Sequence, residues 1–505
     1  MSKEYLLAFD SGTQSVKTIV FDKIGNIIGE GRCNHSTSSP QPCYAEQDPN
    51  EWWDAFIFSS KMAIKNAGIR PDQIAILGLT HQRETICAID KDGKPCIPAQ
   101  VWYDSRAIDE VRWMKKEYGA NKYLKITGRM PDTTWWAQKA MWIKNKLPET
   151  FNRINKLLTV HGFFVFKLTG ELKDSYAAPT GLLDANTKTY SHQLLRDLEI
   201  PREKLCDLVP PATIIGHLTR KAASETGLPE GMPVSSGAGD QQSGGLGCGV
   251  VGTGETYLNL GTSVVSGTLI SKYLFHKNFI IRESYLPETW ISESLINGGY
   301  WMITWFKKNF GGSETAEKEN GSIEKYFEQE AKKIPPGSDG LILQPYWLGV
   351  RQPYWDENAR GIIIGWSGDH TRSHFYRSII EGIAYEIRLN LEGIEHALGL
   401  DISKIKIHGG GANSDLSCQI ISDITKKPLE KPQTQEATTL GAAILSAVAN
   451  KDYPNIKVAA ENMTRTVKEY RPTKCNSEIY EKYYRKVYIS LYPQNARFMK
   501  AIARI

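Results

Sequence analysis

No pair of cysteines stands at CxxC spacing in this chain. Its eight cysteines, at positions 33, 43, 87, 96, 206, 248, 418 and 475, are scattered over 505 residues. Such scatter in a long chain argues for reduced thiols, and against a disulfide framework or a zinc module. Long apolar runs are missing too, since none approaches the ~20 residues that a membrane-spanning helix needs. The opening "MSKEYLLAFD" lacks the apolar core of a secretory signal. Dense Lys/Arg runs are absent and the net charge is only +5, which argues against nucleic acid as a partner. There are no low-complexity tracts. With 41% hydrophobic and 23% charged residues, the composition is that of a globular protein, expected to be soluble and cytoplasmic. A chain of this length is too long for one hydrophobic core and suits two or three domains.

The residues present are organised around polar tips. In "LLAFDSGTQSVKTIVFD" (residues 6 to 22), two strand-like runs rich in β-branched and aromatic residues flank Asp10, Ser11, Gly12, Thr13, Gln14 and Ser15. The short link predicts an antiparallel hairpin. An ordinary hairpin needs only Gly12 and one polar neighbour. A phosphate-binding hairpin would use the glycine for close backbone approach, the amides for the anion, and a cation between phosphate and Asp10. Both readings of this stretch alone stay open.

Further on, Asp48, Pro49 and Glu51 signal the start of a helix that stops at Gly68. "QIAILGLT" reads as a buried strand ending at His81, and the alternation predicts α/β architecture. Residues 134 to 170 read as mainly helical. "GMPVSSGAGDQQSGGLGCGV" gives a strand, a glycine-flanked Asp240 and a small-residue segment. "GETYLNLGTSVVSGTLI" then repeats the opening pattern with its tip at residues 261 to 263, which predicts a duplicated plan and a boundary near 248 to 254. The fourfold recurrence of Phe375, Ile379, Ile383, Ile387 and Leu391 predicts a long helix stopped by Gly399. "KIKIH" reads as a strand before "GGGANSD", and an amphipathic helix is expected from about 477 to 503.

Singly, each polar site has a plain structural reading. The triple glycine at 409 to 411 can be a loop, Asp240 a helix cap, His81 a core residue, and Arg83 with Glu84 a surface pair on opposite faces of a strand. Their order along the chain is harder to set aside. "FDSGTQSVK", "THQRET", "GAGDQQSGGLG", "NLGTS", and "GGGANSD" with "EATTLGAA" together resemble the FGGY family of carbohydrate kinases. "QPYWDENARGIIIGWS" (352 to 367) is similar to that family's C-terminal signature. The resemblance covers nearly the whole chain. It implies two RNase H-like (actin-like ATPase) domains, at 1–247 and 248–505, with ATP and substrate in the cleft between them.

By this resemblance Asp10 helps hold the Mg²⁺ of MgATP, with Asp240 counted beside it on the metal side. Gly12, Thr13 and Gln14 would contact the phosphates, Gly261 and Thr262 would grip them from the second domain, and Gly410, Gly411 and Asn413 would line the adenosine pocket. Asp240 would be the catalytic base toward an alcohol, with Gln241 adding an amide contact. "THQRET" points to glycerol kinases, in which the Arg-Glu pair (Arg83 and Glu84 here) binds a polyol and Trp102 walls its carbon chain. Three departures stand against a plain glycerol kinase. Thr134, followed by Trp135 and Trp136, stands where those enzymes carry a tyrosine. "VWYDSRA" follows the broader family, and the basic Gly-rich loop of regulated glycerol kinases is missing. A longer polyol or a ketose is the alternative acceptor. A silent sugar sensor or an ATPase is the alternative outside the class. Family members of this kind are often homodimers or homotetramers.

Overall fold

The computed structural model describes residues 3–178, 181–311 and 323–502. Strands β1 (Tyr5–Ser11), β2 (Ser15–Asp22), β3 (Ile27–Asn34), β4 (Ile74–His81), β5 (Ile214–His217), β6 (Pro233–Ser235) and β7 (Ala238–Gly239) form one seven-stranded sheet. Its order is β5-β6-β4-β1-β2-β3, with β7 also paired to β4. The expected opening hairpin is there: β1 and β2 run antiparallel from Tyr5↔Asp22 to Ser11↔Val16. β4 lies parallel to β1 and is buried at every position, as a continuous apolar run sandwiched between layers should be.

A second sheet holds β8 (Thr256–Leu260), β9 (Val264–Ile270), β10 (Ile280–Glu283), β11 (Trp290–Ile296), β12 (Ile405–His408), β13 (Leu429–Pro432) and β14 (Thr466–Tyr470). Its order is β10-β11-β9-β8-β12-β13-β14. The hairpin β8–β9 has an antiparallel neighbour beyond β9 and a parallel strand, β12, beside β8. That is the arrangement around β1–β2 a second time, so the sequence repeat is a repeat of topology.

Helix α1 (Pro49–Ala67) begins at Asp48, whose carboxylate accepts the Asn50 amide, and ends on Gly68 in the left-handed region. Glu51 does not complete a capping box. It accepts instead from the Ser36 amide (2.9 Å) and hydroxyl (2.7 Å), tying the helix to the preceding loop. Trp52, Trp53 and Phe56 of α1 pack with Phe9, Phe163 and Phe164 under the first sheet. Helix α2 (Asp240–Gly247) starts at the end of β7. Helix α3 (Arg372–Leu398) is the predicted long helix, closed by Gly399. Helix α4 (Asp415–Thr425) follows the glycine-rich turn, and α5 (Ala437–Ala449) returns across the molecule to α2. A distinct core joins the two sheets through these last elements. Leu6, Ala8 and Ile76 meet Tyr257, Val265 and Leu269 through Leu246, Leu440 and Ile444.

The 134 to 170 segment is mainly helical, as expected, with helices at Trp136–Lys146, Pro148–Arg153 and Val160–Thr169, and its one strand, Lys156–Thr159, pairs antiparallel with Ile86–Ile89. Four residues are too few to show a period against helical flanks. The C-terminal helix is interrupted by a π-helical turn at Tyr484–Tyr488, between Lys474–Tyr483 and Ile489–Ile502. Residue 503 lies outside the described residues. Among the described residues no helix is long and apolar enough to cross a membrane, and no disulfide forms.

Candidate active site

A cleft of about 1070 Å³ opens between the tips of the two hairpins. Asp10, Gly12, Thr13 and Gln14 line it from the first tip, and Gly261 and Thr262 from the second. The first turn is closed by the Gly12 amide donating to the Ser15 carbonyl (3.0 Å). Thr13 is oriented from behind: its Oγ1 accepts the Trp102 indole N–H at 3.0 Å, and its carbonyl accepts Gln47 Nε2 at 2.7 Å. Trp102 is therefore more than an apolar wall. It ties its own part of the cleft wall to the first hairpin tip.

Asp10 sits at the end of β1 with Oδ1 buried and without a hydrogen-bond partner. Burial, then the nearby Asp240 and Glu436 carboxylates, push its pKa up to about 7, with Lys17 opposing. Lys17 itself pairs with Glu436 at 2.7 Å. An unpartnered anionic oxygen beside a second carboxylate is what a hard cation would satisfy, so Asp10 and Asp240 fit Mg²⁺. No cluster of three or more metal-ligating side chains exists among the described residues. That suits Mg²⁺, which is usually held by one or two carboxylates plus substrate phosphates rather than by an all-protein cage.

Asp240 is the first residue of α2, and Gly239 takes the cap position. Its Oδ1 accepts the Gln241 amide at 2.8 Å and lies 3.2 Å from Arg83 Nε. Burial raises its pKa, while Arg83 and the Gln241 bonds pull the other way. The Gln241 side chain spans from Asp240 Oδ2 (3.3 Å) to Asn259, whose Nδ2 donates to it at 3.0 Å.

Arg83 and Glu84 do not alternate across a strand, because β4 has ended and Glu84 adopts φ +65°. Both side chains turn into the cleft. Arg83 donates to Glu293 from Nη1 (2.8 Å) and Nη2 (3.2 Å) and to Gln242 (3.2 Å). Glu293 also accepts Arg282 Nε at 3.0 Å. Burial alone would raise the Glu293 pKa, but Arg282 and Arg83 hold it at about 2. Arg282 reaches on to Glu84 Oε1 through Nη1, while Glu84 Oε2 is buried without a partner. Thr134 lines the same end, accepting Arg351 Nη2 at 2.8 Å. The two tryptophans after it part company: Trp135 lines the cleft, and Trp136 packs into the core with its N–H on the Leu158 carbonyl.

Gly410, Gly411 and Asn413 are not on the cleft wall itself. They form a short 3₁₀ turn beside it, with Gly411 against the Tyr300 ring and Asn413 Oδ1 accepting from the cleft residue Gln435 at 3.1 Å. Lys17, Arg282, Glu293, Arg351 and Glu436 are cleft residues that sequence reasoning passed over. For Arg282 and Glu293 a signal existed, namely charges inside otherwise buried strands ("IIRE", "WISESLI"). Lys17 and Glu436 end "FDSGTQSVK" and begin "EATTLGAA", but nothing in those motifs tells that the two side chains pair across 419 residues.

Profiles of the FGGY family of carbohydrate kinases match residues 5–247 (N-terminal domain) and 252–450 (C-terminal domain). The chain belongs to this family. It is 31% identical to a glycerol kinase of Thermococcus gammatolerans over 93% of this chain and 94% of that protein. It is 28% identical to a xylulose kinase of Staphylococcus epidermidis, over 98% and 97% respectively. Its fold is shared with the xylulose kinase of Lactobacillus acidophilus (TM-score 0.90, 22% identity, 97% and 98% coverage). It is shared too with the ADP-bound glycerol kinase of Plasmodium falciparum (TM-score 0.86, 23% identity, 97% and 99% coverage). This FGGY enzyme is therefore a kinase of sugars or polyols with an actin-like ATPase fold. Relatives of nearly equal identity are named for different acceptors, so the choice of acceptor falls to the cleft.

Proposed function

We propose that this FGGY kinase transfers the γ-phosphoryl group of ATP to a hydroxyl of a small polyol or linear sugar, with Asp240 as general base. The observation that carries this reading is the Asp240 carboxylate standing in the cleft that both hairpin tips line, ion-paired to Arg83 and raised toward neutrality by burial. A carboxylate so placed can orient the attacking hydroxyl and accept its proton as the oxygen bonds to phosphorus. Phosphoryl transfer depends chiefly on positioning and charge neutralisation, so backbone amides at Thr13 and Gln14, beside Gly12, and at Gly261 and Thr262 clamp the phosphates from both sides.

Mg²⁺, when bound, would neutralise phosphate charge, with Asp10 as its main protein contact and Asp240 beside it. The 410–413 turn, next to Gln435, takes the adenosine end. Arg83 and Glu84 grip the acceptor as donor and acceptor for neighbouring hydroxyls, Gln241 adds an amide, and Trp102 and Thr134 shape the wall. In this reading residues 1–247 bring the acceptor and one phosphate hairpin, and residues 248–505 bring the other hairpin and the nucleotide pocket. The Arg83–Glu84 grip matches what the sequence suggested for glycerol, and a longer acceptor uses the same pair.

Asp240→Asn is the test, in a coupled ADP-release assay against a panel of polyols, ketoses and gluconate. Turnover should fall about 10²- to 10⁴-fold while ATP affinity is retained. Undiminished turnover would remove Asp240 from the chemistry. Failure of every acceptor to stimulate ADP release by the unsubstituted enzyme would favour the sensor or ATPase reading.

A further inference from the structure

Two groups of polar side chains line the same end of the cleft. The inner group runs Asp240–Arg83–Glu293–Arg282–Glu84 through successive hydrogen bonds and ion pairs. The outer group is Arg351, which donates through Nη2 to Thr134 Oγ1 (2.8 Å) and to Asp132 Oδ1 (3.3 Å). Trp135 joins the two: the Arg282 guanidinium lies 5.0 Å and the Arg351 guanidinium 5.7 Å from its ring centroid, both within cation–π reach. Arg351, Arg282, Thr134, Trp135 and Glu84 all line the same cleft as Asp240.

We infer that the outer group is a distal acceptor subsite, and that the acceptor is a neutral, linear polyol or ketose longer than glycerol, with about five carbons. The inference rests on the kinase reading above. A three-carbon chain spans about 2.5 Å between its end carbons and a five-carbon chain about 5 Å. With one hydroxyl on Asp240 and the next pair on Arg83 and Glu84, only the longer chain carries hydroxyls on toward Arg351 and Thr134. The Arg351 fork spends one nitrogen, Nη2, on both its side-chain contacts, which leaves Nε and Nη1 among its donors for a ligand oxygen.

Neutrality follows from charge. Arg83, Arg282 and Arg351 face Asp240, Glu293, Glu84 and Asp132. Buried Lys139 donates to the carbonyls of Trp102, Thr133 and Thr134 behind the wall. Each of these three guanidiniums is thus already paired with a carboxylate, which leaves none of them uncompensated for an acid such as gluconate. The buried, unpartnered Glu84 Oε2 asks for a hydroxyl donor and would repel a ligand carboxylate.

The experiment compares kcat/KM for glycerol, xylitol, D-xylulose and D-gluconate in the unsubstituted enzyme, Arg351→Ala, Arg351→Lys and Thr134→Val. A neutral five-carbon acceptor should exceed both glycerol and gluconate by about tenfold or more. Arg351→Ala should erode the preference over glycerol by about tenfold, chiefly through KM, with Arg351→Lys restoring part of it. Should the substituted proteins fold poorly, the unsubstituted enzyme still decides. A five-carbon polyol alone should raise its melting temperature at concentrations where glycerol and gluconate do not. Glycerol or gluconate as the best Asp240-dependent acceptor would overturn this inference and leave the kinase reading standing. A preference that Arg351→Ala and Thr134→Val leave unchanged would overturn it equally. Absence of ADP release with every acceptor would overturn both.

Discussion

Asp10 is under two opposed demands. Binding a cation requires its carboxylate ionised, yet burial and the neighbouring Asp240 and Glu436 charges raise its pKa to about 7. Because that value lies above the ordinary one near 4, the folded protein holds a proton that the unfolded chain has already released between those pH values. Asp10 therefore costs stability progressively as pH rises from about 4 to about 7, and the cost is complete above 7. Asp10→Asn should raise the melting temperature at pH 8, by about 2 °C, while abolishing Mg²⁺-dependent turnover. An unchanged or lowered melting temperature would mean that the carboxylate is not held against a desolvation penalty. For the same reason kcat/KM of the unsubstituted enzyme should fall as pH drops through about 7, as Asp10 takes up a proton. A flat profile from pH 8 to 6 would count against the Asp10 assignment.

At the scale of elements, the contact between α2 and α5 does most to set the relation of the two sheets. "DQQSGGLG" and "ATTLGAAILSAVA" are poor in large side chains, so the two backbones approach until a Cβ on Gly441 would stand 1.9 Å from the Ser243 carbonyl oxygen. A Cβ on Gly247 would stand 1.8 Å from the Ala437 carbonyl oxygen. Neither obstacle is a side chain that can rotate away. By helix propensity alone, Gly441→Ala would stabilise α5 by about 1 kcal/mol. The crossing reverses the sign: overpacking should give a net loss of about 1–3 kcal/mol in urea unfolding. A stabilised variant would show that the helices can part without cost. The same crossing carries function, because α2 presents Asp240 at its first residue and α5 follows directly on Glu436.

For the molecule as a whole, the cleft is closed by pairs reaching across the chain: Lys17 to Glu436, Arg83 to Glu293, and Arg351 to Asp132. The connection between the halves passes through Gly249 and Gly254, both at positive φ that other residues adopt only with strain. Glycines there and a shared wall of ion pairs argue for closure by hinge motion about residues 247 to 255, which would keep water from the γ-phosphate. Small-angle scattering should show a smaller radius of gyration with acceptor and a non-hydrolysable ATP analogue together than with either alone. An identical radius in all states would rule out the hinge.

Much of this was readable in the residues themselves. The two phosphate-type hairpins, the buried run at 74 to 81, α1 with its Asp48 cap and Gly68 stop, and α3 with its fourfold apolar repeat are all local patterns. Period, cap and turn chemistry act over a few neighbours, and so they are written in a few neighbours. Asp240 stood out because glycines flank a lone carboxylate. Tertiary structure alone decided that Glu51 serves Ser36 rather than its own helix, that Trp135 faces the cleft while Trp136 does not, and that Trp102 steadies Thr13. It also decided the Arg83–Glu293–Arg282–Glu84 wall, whose contacts join residues such as Glu84 and Arg282, 198 positions apart. Burial makes such charges dependent on one another, and no local rule of sequence records which distant partner each will find.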